Sequence, residues 1–146
     1  MNKPLYILVG LLAVSGSAHA ACASKSKTIF SCATTNGKYV EVCDAGSVIG
    51  YSFGKKGAPE LALKIPRDEV TTTQWKGIGR YISYTVNIPN ADAVYSVYSS
   101  TDKNAKRQET EWGINVEVSG NQAATIKCSP KSVVDNMQGV ELREQE

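Results

Sequence analysis

Gly79-Arg80-Tyr81-Ile82-Ser83-Tyr84-Thr85-Val86-Asn87-Ile88-Pro89-Asn90-Ala91-Asp92-Ala93-Val94-Tyr95-Ser96-Val97-Tyr98-Ser99 is the stretch that decides the fold class. Ile82, Tyr84, Val86 and Ile88 recur at every second position, which puts all four on one face of an extended strand. Pro89-Asn90-Ala91-Asp92 is turn chemistry, and Tyr95 and Val97 then oppose Tyr98 across a second strand.

The same period continues on both sides. Trp112, Ile114, Val116 and Val118 alternate with Gly113, Asn115 and Glu117, and Gly120-Asn121 turns the chain into Ala124, Ile126 and Cys128. Residues 101–108 are polar and charged and read as an exposed loop. Upstream, residues 60–65 place Leu61, Leu63 and Ile65 on one face before Pro66, which cannot donate to a ladder. Residues 47–53 do the same with Ile49, Tyr51 and Phe53. Residues 28–34 and 39–43 flank Thr35-Asn36-Gly37-Lys38, which fits a two-residue hairpin with Asn36 and Gly37 at the centre. Residues 67–75 hold room for one more short strand. After Cys128, Ser129 and Pro130 predict a short helix whose apolar patch is Val133, Val134 and Met137, and the charged tail 141–146 is expected to fray. There is no internal repeat, heptad or linker. The expected fold is all-β, a small antiparallel barrel of about eight strands.

The N-terminus reads as a signal peptide over residues 1–20: Lys3, an apolar run over 5–14, and small residues Ala18 and Ala20 ahead of a cut before Ala21. The run is short for a permanent transmembrane anchor. Cys22 lies close to the cut, but His19 stands where a lipoprotein signal wants an aliphatic residue. A secreted or periplasmic protein of the bacterial envelope is expected. Cleavage leaves 126 residues, 21–146, as a single domain with 15 basic and 14 acidic side chains. That balance offers nucleic acid no attraction.

Four cysteines remain, Cys22, Cys32, Cys43 and Cys128, at spacings of 10, 11 and 85 residues. None of those spacings is a close zinc-ligand pair, so no metal is expected, and in an oxidising compartment the four read as two disulfides with three possible pairings. The single histidine, His19, departs with the leader. Ser-His-Asp and Cys-His catalysis are therefore out of reach, and no phosphate loop or HExxH is present. Asp44, Glu60, Asp68 and Glu69 are scattered carboxylates with nothing to set two across a cleft. No catalytic residue, enzyme activity or cofactor is expected.

The segment singled out for binding is Lys76-Gly77-Ile78-Gly79-Arg80-Tyr81, preceded by Trp75. Its glycines permit a tight turn and close approach, and arginine and tyrosine are strong anchors when a protein partner buries them. Lys103, Lys106 and Arg107 form a second basic group, diluted by Asp102, Glu109 and Glu111.

Cys32, Gly77, Gly79, Arg80, Tyr81 and Cys128 together resemble the periplasmic and membrane-bound inhibitors of chicken-type lysozyme, with the related neisserial adhesin complex protein. The resemblance spans about residues 28–128. It implies an eight-stranded barrel that pushes a loop into a muramidase cleft. In that family the loop reads Ser-Gly-Ser-Gly-Ala-Arg-Tyr, and the serine between the glycines reaches catalytic carboxylates. Here Ile78 holds that place and one residue before Arg80 is missing, which leaves Lys76 or Arg80 to meet an acidic cleft. A protein partner is expected, a muramidase or a host surface protein. The alternative is an envelope adhesin or surface-associated structural protein without inhibitory activity.

The resemblance also implies an early-to-late disulfide. A two-residue hairpin loop sets Cys32 opposite Glu41 and Phe30 opposite Cys43, so bridging Cys32 to Cys43 would be diagonal and strained. Cys32–Cys128 would staple the first strand to the last and leave Cys22 for Cys43. A different register of the hairpin would bring Cys32 and Cys43 together instead.

Overall fold

The computed structural model describes residues 22–146. The expected leader and its cut lie outside the described residues. From Lys27 the chain runs as an antiparallel meander: β1 (Lys27–Ala33), β2 (Tyr39–Asp44), β3 (Val48–Lys55) and β4 (Ala58–Pro66). A 3-10 turn at Arg67–Glu69 leads to β5 (Thr71–Thr73), β6 (Tyr81–Asn90), β7 (Ala93–Asp102), β8 (Thr110–Val118) and β9 (Asn121–Lys127). A second 3-10 turn at Pro130–Ser132 precedes β10 (Val134–Asp135) and β11 (Arg143–Glu144).

The all-β expectation holds, but the closed eight-stranded barrel does not. The strands form a five-stranded sheet, β10-β1-β2-β3-β4, and a six-stranded sheet, β11-β5-β6-β7-β8-β9. One seam lies between β4 and β5, where the 3-10 turn replaces a ladder. At the other seam β9 reaches β1 only through the isolated Thr34–Cys128 bridge, and the Cys32–Cys128 disulfide ties the same place. The physical reason is competition for one edge. Phe30 and Ser31 of β1 are already paired with Asp135 and Val134 of β10, so β9 cannot zip along β1 beyond its end.

Alternation placed most of the core, although Val118, expected on the inward face of its strand, is exposed. Val86, Val97 and Ile114 lie in one register row across β6, β7 and β8, all fully buried. Phe30, Val40, Val42, Ile49 and Tyr51 meet them from the other sheet, and Tyr51 stacks on Tyr95 with ring centroids 5.2 Å apart. Burying each such aliphatic side chain contributes about 1.5–3 kcal/mol.

The expected helix after Cys128 is absent. Ser129 makes no side-chain cap, and the turn lasts three residues because Ser132 is drawn to β1, where its Oγ accepts from the Ala33 N–H at 2.9 Å. The tail does not fray either. Met137 is fully buried, Gln145 N–H donates to the Thr72 carbonyl at 2.9 Å, and β11 pairs parallel with β5. The last residues thus form a strap from β1 to β5.

The β1–β2 hairpin is one residue out of the expected register. Thr34 and Lys38 close a three-residue loop, Gly37 alone takes a left-handed φ of 82°, and Cys32 stands opposite Val40 rather than Glu41. A one-residue slip exchanges the faces of a strand. Cys32 therefore points into the core beside Val40 and Val42, whereas Cys43 pairs with Thr28 beyond a bulge. Cys22 bonds Cys43 and Cys32 bonds Cys128, the pairing expected, with the true register separating Cys32 from Cys43 more firmly than the expected one did.

Candidate functional site: a braced loop with an apolar tip

Residues 76–81 lead from β5 into the first residue of β6 and are all exposed. Gly77 and Gly79 adopt φ of 84° and 97°, the left-handed region that a Cβ disfavours, so both glycines are demanded by the loop's shape. Between them Ile78 is 85% exposed, and Tyr81 at the strand entry is 52% exposed. An isoleucine so fully in water is the feature that most distinguishes this loop.

The loop is held from three sides. Behind the tip, the Trp75 indole N–H donates to the Ile78 carbonyl at 3.0 Å, and the Lys103 ammonium lies 5.2 Å from the Trp75 ring centroid. On one flank, Arg80 makes a two-point contact with Asp102, Nε to Oδ1 at 2.9 Å and an Nη to Oδ2 at 2.6 Å, while its carbonyl accepts from the Lys103 N–H at 3.0 Å. On the other flank, Lys76 forms an ion pair with Glu144 of β11. The Arg80 guanidinium also sits 5.4 Å from the Tyr81 ring centroid. Such bidentate geometry fixes orientation more than it adds energy at an exposed site.

The electrostatics follow from these pairs. Arg80's hydrogen bond is the leading influence that holds the Asp102 carboxyl below its usual range, with the Asn104 amide helping, and Asp102 in turn raises Arg80. Both expected cations of the loop are thus occupied within the fold. The chemistry left facing outward is apolar and aromatic, Ile78 and Tyr81.

Sequence reasoning missed the braces. The composition of residues 101–108 predicts a solvated loop that includes Asp102 and Lys103, yet β7 runs on to Asp102 and pairs it with Tyr81. The signal was present: carrying the β6–β7 register outward from the turn at residues 91–92 places Asp102 opposite Tyr81. Glu144 gave no signal, because nothing in a charged tail indicates pairing with β5. Lys106 and Arg107 do not join the site, and Arg107 meets Glu109 at 3.6 Å.

The scattered carboxylates do not assemble. Asp44 pairs with Arg67 at 2.6 Å, Glu60 with Lys38, and Asp68 and Glu69 lie in the turn after β4. Among the described residues, Cys22, Glu41 and Cys43 are the one group with metal-like spacing, and two of its three donors are disulfide sulfurs rather than thiolates. No helix among the described residues is long and apolar enough to cross a membrane. The two disulfides suit an oxidising compartment. No family model, no curated protein and no solved structure matches this chain.

Proposed function

We propose that this chain is a non-enzymatic protein-binding domain of the bacterial envelope that presents the loop at residues 76–81 to a protein partner. The observation that supports the reading is Ile78, held in water on a loop whose conformation is set before any partner arrives. A pre-set loop loses little conformational freedom on docking, and that saving goes into affinity. The leader-like N-terminus and the two disulfides support the envelope as its place.

The loop also narrows the kind of partner. Ile78 cannot hydrogen-bond to a carboxylate, and Arg80 would have to leave Asp102 to do so. A partner with an apolar pocket flanked by groups that accept Tyr81 fits better than an acidic muramidase cleft. Muramidase inhibition is therefore the narrower reading, and adhesion to a surface protein is its rival.

The test is capture of partners from envelope and host-surface fractions by the mature protein and by Ile78→Ser. Burial of the isoleucine should be worth roughly tenfold to a hundredfold in affinity, so the variant should lose the partner while melting normally. Equal recovery by both proteins would overturn the choice of surface. A titration of lysozyme activity runs alongside: inhibition near a one-to-one ratio selects the inhibitor reading, and partner capture without inhibition selects adhesion.

A further inference from the structure

One residue beyond the loop, the core-facing side of the second sheet opens at its end into a cleft whose inner wall, Tyr84 and Trp112, also packs against the core. Two register rows line it. Tyr84, Ser99 and Trp112 are directly opposite one another across β6, β7 and β8, and Ile82, Thr101 and Thr110 form the next row outward. Asp135 and Gln138 of the C-terminal strap complete the wall. The cleft holds about 180 Å³.

Its chemistry is selective. Among the described residues no lysine or arginine lines it, so it offers an anion no opposite charge. The Asp135 carboxylate is already engaged, Oδ2 accepting the Trp112 indole N–H at 2.9 Å and Oδ1 the Met137 amide at 3.1 Å. The Thr101 and Thr110 hydroxyls lie 2.7 Å apart, and in such a pair the accepting hydroxyl keeps its own hydrogen for a ligand. The Gln138 side chain is exposed, with an amide that both donates and accepts. Two aromatic side chains, several hydroxyls and one amide converge on this space. By contrast, the larger groove of about 360 Å³ beside Lys27 contains the Asp44–Arg67 pair and, among the described residues, no aromatic side chain.

We propose that this cleft is a carbohydrate subsite that takes one neutral pyranose ring. A sugar ring presents C–H groups that pack on aromatic faces and hydroxyls around its rim that need donors and acceptors together, and a pocket of few convergent polar groups among aromatic walls supplies both. The ring packs against Tyr84 and Trp112, while the Ser99 and Thr101–Thr110 hydroxyls and the Gln138 amide meet its rim. The site is distinct from the protein-binding loop and does not depend on it.

The experiment is a two-dimensional amide and indole NMR titration of the mature protein. The probes are methyl glucoside and N-acetylglucosamine, with choline and inorganic phosphate alongside. A single sugar of this size should bind with a Kd of about 1 mM. Saturable shifts should be confined to residues 82–84, 99–101, 110–112 and 135–138 and should include the Trp112 indole. Gln138→Ala and Thr101→Val should each weaken binding by about fivefold. Thr101→Val also removes a hydrogen bond of the fold, so the exposed Gln138→Ala is the decisive variant. Absence of saturable shifts with both sugars, saturation by choline or phosphate in their place, or unchanged affinity in Gln138→Ala would each overturn the proposal. The titration needs no partner protein, so failure to capture one leaves this result standing.

Discussion

Removing the two disulfides one at a time should separate them by the length of chain each encloses. Cys32 and Cys128 are 96 residues apart in sequence, Cys22 and Cys43 only 21. In the chain-entropy account a crosslink stabilises by shrinking the unfolded ensemble, which gives about 4.7 kcal/mol for the longer loop and about 3.3 kcal/mol for the shorter. Burial does not reverse the order, because Cys32, Cys43 and Cys128 are all buried and alanine leaves a small space in either case. The variants to compare are the double substitutions Cys32→Ala with Cys128→Ala and Cys22→Ala with Cys43→Ala, unfolded in guanidinium chloride without reductant. The first pair should lose about 1.4 kcal/mol more than the second. Its m-value should also rise more, since a chain freed over most of its length exposes more surface. Equal losses, or a larger loss for the Cys22–Cys43 pair, would refute the reasoning and locate the stabilisation in the native state instead.

Gly113→Ala should destabilise by about 1–3 kcal/mol in a thermal melt, because an added Cβ would meet the Ile126 carbonyl oxygen at 2.4 Å and the Tyr98 hydroxyl at 2.8 Å; an unchanged Tm would show that the β8–β9 ladder yields. Met137→Ala should cost about 2–5 kcal/mol, since that fully buried side chain plugs the core from the strap, and native-state hydrogen exchange should report loosening of the β10 and β11 pairings first. Burial raises the Asp44 carboxyl, but the Arg67 guanidinium and the Gly46 amide outweigh it and leave the group below its usual value. Its contribution is therefore present at neutral pH and is lost as pH falls below about 4 through the depressed native value. Asp44→Asn should flatten that part of the acid stability curve by at most about 1 kcal/mol.

What was legible in the sequence was what period two encodes. Ile82 to Ile88, Trp112 to Val118 and Leu61 to Ile65 each declared a strand and its inward face, because a half-buried sheet exposes alternate residues to different solvents. The hairpin between β1 and β2 was legible in kind but not in register: Asn36-Gly37 permits a two-residue loop, yet Gly37 alone needs the left-handed region once Thr34 and Lys38 close the loop. The strap was not legible at all. Strands of two residues carry no period, and the choice of β1 and β5 as partners is made by edges that exist only after the sheets have formed. The site was half legible. The glycines announced a turn and Ile78 its oddity, but that Arg80 is occupied by Asp102 follows from tertiary register, not from local composition.

The two disulfides interleave: in chain order the first cysteine joins the third and the second joins the fourth. A chain that emerges from its amino end presents Cys22, Cys32 and Cys43 to oxidant while Cys128 is still some 85 residues behind. Oxidation in order of arrival would join Cys22 to Cys32 and leave Cys43 for Cys128. The native set requires either that Cys32 stay reduced until the last long strand appears or that a wrong bond be reopened by thiolate attack. Maturation of this protein is in that sense a matter of timing, and a compartment that oxidises quickly without exchanging bonds would fill with misjoined isomers of an otherwise well-specified fold.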